Sequence, residues 1–164
     1  MWRNIADFFW QEGSLVELCE SKKEDLELFC QWEQTEDTRE YIIPYNLKRH
    51  LEEFAKKDII YLSIRLDADV AGFVILKLED DLKSVEFRRI VVNEKGQGVG
   101  QVTLREIDRY CYDKLKRERI WLDVFSFNVR GIHIYEKYGY QRVGEAIFAG
   151  QKLFIYEKWA WFRV

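Results

Sequence analysis

The sequence predicts an α/β domain of the α+β kind, with a mixed, mostly antiparallel central sheet and helices on both faces. Three observations carry that prediction. Residues 59–65, 70–78 and 84–92 are rich in β-branched and aromatic side chains and are separated by short polar turns, the pattern of an antiparallel meander. Residues 98–116 place Leu104, Ile107, Cys111 and Leu115 on one helical stripe, and an apolar strand over 120–125 follows, so a strand–helix–strand crossover adds a parallel pair. The chain has 164 residues, the length of one domain with a sizeable core, and is read as a single domain over 1–164.

The elements follow in order. A first strand is expected over 15–20. Ser21 is the expected N-cap of the next helix, with Glu24 three residues on as a capping box, and that helix runs to about Trp32. A second helix starts over 35–41 and stops near Pro44, the only proline. Residues 46–57 are helical, with Leu47, Leu51 and Phe54 on one face. Leu66-Asp67-Ala68-Asp69 is a hairpin turn between the first two meander strands, and Asp80-Asp81 marks the next turn. Beyond the long helix and its strand, Asn128 caps a short helix to about Tyr138, with Gly139 as its C′ residue. Strands over 141–148 and 152–159 complete the order β-α-α-β-β-β-α-β-α-β-β.

Composition narrows the function. The net charge of −3 speaks against a nucleic-acid partner, which calls for a basic footprint. Lys114, Lys116, Arg117 and Arg119 cluster, and read as a solvated helix end whose cations suit the helix dipole. Three scattered cysteines and two distant histidines argue against a disulfide framework and against a metal site. No segment reads as a signal peptide or a membrane span, so a cytoplasmic protein without membrane association is expected.

The segment that points to chemistry is Asn93-Glu94-Lys95-Gly96-Gln97-Gly98-Val99-Gly100, between an apolar strand and an amphipathic helix. Glycines there leave bare backbone N–H groups at a helix N-terminus, which carries roughly half a positive charge and favours phosphate. Two common phosphate loops fail by spacing. A P-loop ends in Gly-Lys-Ser/Thr, and here Gln101 and Val102 follow Gly100. A Rossmann fingerprint needs a third small residue where Gln101 stands.

In this context the chain resembles the GNAT superfamily of acetyl-CoA-dependent N-acetyltransferases. The family pattern is an apolar strand, here Ile90-Val91-Val92, then Arg/Gln-x-x-Gly-x-Gly/Ala, here Lys95 to Gly100, then a long helix. Further on, the family has an Asn capping a helix that carries a Tyr, closed by Gly and an aromatic. Here these are Asn128, Tyr135, Gly139 and Tyr140. The resemblance runs from about Leu15 to Trp159 and is most specific between Glu86 and Tyr140. The wording is most similar to the branch that includes ribosomal-protein N-terminal acetyltransferases. Lys95 departs from the usual Arg or Gln and supplies a point charge without the guanidinium fork.

The resemblance implies the GNAT fold and direct acetyl transfer from acetyl-CoA to a primary amine through a tetrahedral intermediate, without metal. It implies a cofactor site built from Ile90, Val91, Val92, Lys95, Gly96, Gln97, Gly98, Val99, Gly100, Gln101, Asn128 and Tyr135. A strand N–H beside the thioester oxygen stabilises the developing oxyanion. Tyr135 returns a proton to the leaving sulfur. Asn128 and Tyr135 are two turns apart, about 10 Å along one helix face. The amine has a pKa near 10.4 as an alkylammonium and must lose a proton before attack. Two carboxylates compete for that task, with water-mediated deprotonation as the third possibility. Glu86 shares a strand face with residues 88, 90 and 92 by simple alternation, and Asp123 interrupts an apolar strand, where a carboxylate is costly unless used or paired. Trp32, Glu33, Glu36, Asp37 and Tyr41 fall on the acceptor side, either as amine contacts or as ordinary helix surface. The apolar Trp159-Ala160-Trp161-Phe162 finishes the core, covers the acceptor cleft or forms a dimer contact. The acceptor is a small-molecule or peptide amine, and the protein is a monomer or homodimer. The rival readings are a catalytically silent acyl-CoA sensor and a nucleotide-binding module with a fortuitous glycine loop.

Overall fold

The structure is a computed structural model and describes residues 15–93 and 98–162. Its strands are β1 (Val16–Glu20), β2 (Ile59–Leu66), β3 (Asp69–Leu78), β4 (Ser84–Val92), β5 (Arg119–Phe125), β6 (Gln141–Phe148) and β7 (Gln151–Trp159). They form one sheet in the order β1-β2-β3-β4-β5-β7-β6, in which β4 and β5 are parallel and every other pair is antiparallel. The mixed, mostly antiparallel sheet expected from the sequence is the one observed.

Two cores lie on its two faces. Leu26, Phe29 and Trp32 of α1 (Leu26–Glu33) pack on Tyr61, Phe73, Ile75 and Val91, with Phe29 and Phe73 stacked at 4.3 Å. Leu104 and Ile107 of α4 (Val99–Arg109), with Cys111 just beyond it, pack on Leu62, Ile64, Val74 and Leu76. Alternation along β2 and β3 feeds both, and each fully buried Phe, Leu or Ile contributes about 1.5–3 kcal/mol.

Local chemistry explains several boundaries. Three helical segments precede β2 as expected, with the short α2 (Glu36–Arg39) separate from α3 (Leu47–Phe54), one more than the order β-α-α-β counts. Asn46 caps α3 by accepting the Arg49 N–H at 2.8 Å. The buried positions of α3 are His50 and Glu53, whereas Leu47 is exposed and Leu51 and Phe54 are half-buried. The expected face holds for Leu51 and Phe54, which pack on the α1-side core, and is corrected at Leu47; the most buried positions are polar side chains with partners. The first cap also moves by one residue. The Lys22 N–H donates to Asp25 at 3.1 Å, and the Ser21 hydroxyl bonds Ser63 across to β2 instead. The long helix is α-helical only to Arg109; Tyr110–Lys114 forms a wider π turn, closed by the Leu115 N–H on the Tyr110 carbonyl. Past it, Arg117 donates to the Glu79 carbonyl and Arg119 to Glu157, so two of the clustered cations tie strands together rather than face water alone. Asn128 Oδ1 caps α5 (Val129–Lys137) by accepting the Gly131 N–H, and Gly139 follows with φ +91° as expected.

The feature that shapes the site is a bulge in β4. Ile75 pairs with Arg89 but Leu76 pairs with Phe87, so Arg88 is an extra residue in the strand. Val85 and Phe87 lie in the α4-side core; after the bulge Val91 lies in the α1-side core and Ile90 and Val92 turn to the α4 side. The expectation that Glu86 shares a face with Ile90 is thereby overturned, since one inserted residue reverses the alternation.

Gly72 of β3 sits under this strand, and a Cβ there would lie 2.2 Å from the Val91 carbonyl oxygen. Gly72→Ala is expected to destabilise the fold by about 1–3 kcal/mol through overpacking against backbone. Chemical denaturation measures it; an unchanged midpoint would mean that β3 and β4 can separate at no cost.

Candidate active site

β4 and β5 pair only where Ser84, Val85 and Glu86 face Arg119, Ile120 and Trp121. Beyond Glu86 the two parallel strands part, and a cleft of about 940 Å³ opens between them. β4 contributes 86–92 to its wall, β5 contributes Asp123 to Phe125, and α4, α5 and the 37–45 segment complete it. The β4 edge beyond Glu86 thus presents backbone N–H and C=O groups with no strand beside them, a surface suited to an amide-bearing chain.

At one end stands the N-terminus of α4. Gly98 is its N-cap with φ +74°, a left-handed conformation that favours glycine. The first helical bond is from the Val102 N–H to the Gly98 carbonyl. The N–H groups of Val99, Gly100 and Gln101 have no acceptor among the described residues, and all three residues line the cleft. Bare N–H groups at a helix N-terminus suit an anionic group such as a diphosphate. Lys95, Gly96 and Gln97 lie outside the described residues. Ile90, Val91 and Val92 line the cleft as expected, with the Val91 side chain turned into the α1-side core, so that only its backbone is offered.

Asn128 and Tyr135 also line the cleft, from α5. Asn128 Oδ1 is taken by the cap, and its side-chain Nδ2 has no partner among the described residues. Tyr135 is wedged edge-on between Phe87 and Tyr140, at 6.2 and 5.8 Å. Burial, and then the Asp123 charge, push its pKa up to about 12. The phenol therefore keeps its proton throughout the neutral range.

The two carboxylates have different surroundings. Glu86 is held by Arg88 through two bonds, Nε to Oε1 at 3.2 Å and Nη2 to Oε2 at 2.8 Å, and Arg88 also reaches Glu53. Asp123 makes no hydrogen bond or ion pair among the described residues and opens onto the cleft. Burial by the cleft walls, and then the nearby Glu86 charge, raise its pKa. Leu122 and Val124 point into the α4-side core, so Asp123 projects from the opposite face.

On the acceptor side the expected residues separate. Asp37 and Tyr41 line the cleft, and Tyr41 reaches Phe127 at 6.3 Å. Trp32 is core, and Glu36 lies on a shallow surface with Arg39, Glu40 and Pro44. Glu33 is fully buried and accepts from Arg89 at 2.6 Å and from the Tyr45 N–H at 2.7 Å. Glu33 is therefore structural, because a buried carboxylate so partnered has little left to offer a substrate. Sequence reasoning missed Arg89, Tyr45, His50 and Glu53. The signal available was Arg88-Arg89 in the middle of an apolar strand. Trp159 stacks on Trp161 at 4.6 Å and pairs in register with Arg119, at the closed end of the sheet, so this segment does not cover the cleft.

The acetyltransferase (GNAT) family matches residues 10–140. The chain belongs to that family. It is an acetyl-CoA-dependent N-acetyltransferase with an amine acceptor, and the silent-sensor and nucleotide-module readings fall away. Among curated relatives it is 30% identical over 115 residues to the spermine/spermidine N(1)-acetyltransferase of Bacillus subtilis (strain 168), covering 64% of this chain and 76% of the relative. It is 29% identical over the same length to a probable spermine N(1)-acetyltransferase of Bacillus subtilis subsp. natto. These names do not single out the ribosomal-protein branch. Among solved structures, the spermidine N-acetyltransferase of Vibrio cholerae with CoA and spermine superposes with a TM-score of 0.78 at 19% identity, covering 90% of this chain and 96% of that one. Aminoglycoside acetyltransferase AAC(6')-Ib with coenzyme A gives 0.76 at 17% identity, covering 88% and 95%. At those identities the likeness is one of fold. No helix among the described residues is long and apolar enough to cross a membrane.

The raised pKa of Asp123 carries a stability consequence. Its ionisation is harder in the folded than in the unfolded state, so the penalty is absent below the ordinary aspartate pKa of about 3.9, grows as pH rises through the folded value, and is complete above it. Asp123→Asn is expected to melt higher than the wild type at pH 7, with the advantage shrinking toward about pH 4. Thermal melts across that range check it; a lower melting temperature at pH 7 would mean that the carboxylate is stabilised by its surroundings.

Proposed function

We propose that this enzyme acetylates a small polycationic amine of the polyamine class, with Asp123 receiving the proton of the attacking ammonium and Tyr135 supplying the proton to the leaving sulfur. The observation that carries the reading is the placement of these two groups on opposite sides of the gap between β4 and β5. Asp123 projects from the α1-side face of the sheet, and Tyr135 approaches on α5 from the other. An acyl group lying in the gap then meets its nucleophile from one side and loses its leaving group toward the other.

Charge supports the acceptor class. Arg49, Arg88 and Arg89 on the cleft wall are each paired with Glu53, Glu86 or Glu33. Asp123 and Glu40 line the cleft without ion pairs among the described residues, so the free charge on this side is negative. Arg130, also unpaired there, lies on the first turn of α5 next to Asn128 and suits the cofactor phosphates. The two Bacillus subtilis relatives carry polyamines in their names.

Acetyl-CoA supplies the activated acyl group. The chain's own groups do the rest. The α4 N–H groups and the helix dipole hold the diphosphate. The open edge of β4 pairs the amides of the pantetheine arm and offers an N–H to the carbonyl oxygen as its charge develops. Asp123 is a better proton acceptor than an ordinary aspartate because its pKa is raised, whereas the charge of Glu86 is shared with Arg88. Tyr135 lines the cleft with its phenol protonated, and donates that proton toward the departing sulfur.

CoA release from acetyl-CoA is measured with spermidine, spermine, an aminoglycoside and a peptide with a free N-terminus. Spermidine or spermine should turn over fastest; preference for the peptide would overturn the acceptor class. Tyr135→Phe is expected to slow transfer by about 10² or more with acetyl-CoA affinity retained. Asp123→Asn should lower kcat/KM and remove the acidic limb of its pH profile, and an intact limb would pass the role to water or to Glu86. Gly98→Glu should abolish acetyl-CoA binding in calorimetry, since it strains the left-handed N-cap and adds a negative charge at the helix N-terminus proposed to hold phosphate. Unchanged binding would relocate the phosphate site.

A further inference from the structure

The 41–45 segment forms the acceptor-side wall of the cleft and has no regular secondary structure. It is held from beneath on both sides of Pro44. Arg89 Nη2 donates to the Ile43 carbonyl at 2.8 Å, and the Tyr45 N–H donates to Glu33 Oε2 at 2.7 Å. Pro44 has no N–H, so the residue between the two ties leaves no donor unsatisfied. Cys30 Sγ meets the Tyr45 carbonyl at 3.5 Å, and the Arg89 guanidinium lies 4.0 Å from the Tyr45 ring centre.

Both anchors are buried, and they are bonded to each other at 2.6 Å. His50 stands behind them, its Nε2 3.3 Å from Glu33 and its Nδ1 2.9 Å from the Tyr61 hydroxyl. The residues flanking Arg89 on β4, Arg88 and Ile90, line the cleft. One rigid connection therefore runs from the cofactor strand to the acceptor wall. Tyr41, at the far end of that wall, meets Phe127 beyond β5, so the position of the wall also sets the width of the cleft mouth.

We propose that Glu33 and Arg89 are positioning residues for the acceptor. The buried pair latches the 41–45 wall and so determines which amines fit, by holding that wall in place. The kinetic arm of the test rests on the amine-acetyltransferase reading, but not on the acceptor being a polyamine. A geometry error of an ångström in such a wall weakens productive acceptor binding while the α4 cradle is untouched.

Two variants and one measurement on the wild type test this. Glu33→Leu with Arg89→Met replaces the pair by apolar groups, a change that buried ion pairs tolerate, and removes both ties. Arg89→Lys keeps the charge but loses the fork that serves Glu33 and Ile43 together. The probe is spermidine, or whichever amine of the panel above turns over fastest. The double variant is expected to raise the amine KM by about tenfold or more and to flatten selectivity across the panel, with acetyl-CoA Kd within about twofold, and Arg89→Lys should fall between it and the wild type. An unchanged amine KM in a cooperatively folding variant, or an equal loss of acetyl-CoA affinity, would overturn the latch. In the wild type without amine, hydrogen exchange should show the Tyr45 amide protected like the core of α1. Fast exchange there would overturn the proposal whether or not the variants fold and whichever amine is the substrate.

Discussion

Much of this molecule follows from the single residue inserted into β4 at Arg88. Without the bulge, simple alternation would carry Phe87, Arg89 and Val91 onto one face. With it, Phe87 stays in the α4-side core, while Arg89 and Val91 pass to the α1 side. A guanidinium in that interior costs several kcal/mol of desolvation unless it is paired and its hydrogens are used. Glu33, the Ile43 carbonyl and the face of Tyr45 meet that demand, leaving only its Nε without a partner. A strand irregularity thus dictates a buried ion pair, and the ion pair dictates where a loop 46 residues away in sequence must lie.

The same bulge sits where β4 and β5 cease to pair, and the two together divide the labour of the cleft. The α4 side receives Ile90, Val92, the helix N-terminus and Tyr135, a largely uncharged surface whose electrostatics come from backbone dipoles. Such a surface favours a phosphate and a neutral acid. The α1 side receives Glu86, Arg88 and Asp123. There the arginines are consumed by carboxylates already in place, and among the described residues Asp123 and Glu40 line the cleft without an ion pair. Burial and the Glu86 charge raise the pKa of Asp123, and no ion pair among the described residues offsets them.

How far the sequence could be read depended on how local each signal was. β4 and β6 were legible to the residue, and the other strands to within one or two, because their period and turns are properties of adjacent residues. Asn128 and Gly139 were legible because helix caps need particular residue types at fixed offsets. On α3 the spacing marked Leu51 and Phe54 but not the more deeply buried His50 and Glu53, which do not look apolar. They are buried by partners from elsewhere, Tyr61 for His50 and Arg88 for Glu53. The capping box slid by one because Ser21 found a better partner in Ser63, 42 residues away.

The acceptor side shows the limit most clearly. Glu33, Asp37 and Tyr41 are sequence neighbours on an acidic and aromatic stretch, yet Glu33 faces the core while Asp37 and Tyr41 face the cleft. What separates them is Arg89, 56 residues downstream, whose own direction depends on a bulge that no periodicity marks. The one local clue was negative: two arginines inside an apolar strand cannot both be solvated on alternating faces of a buried sheet. One of them must be paired in the interior. The carboxylates of α1 and α3, Glu27, Glu33, Glu52 and Glu53, are then the candidates, and the structure uses Glu33 for Arg89 and Glu53 for Arg88. A charge in a predicted core strand is therefore informative about the opposite wall of a site, because the rule that buried charges need partners acts across the fold and not along the chain.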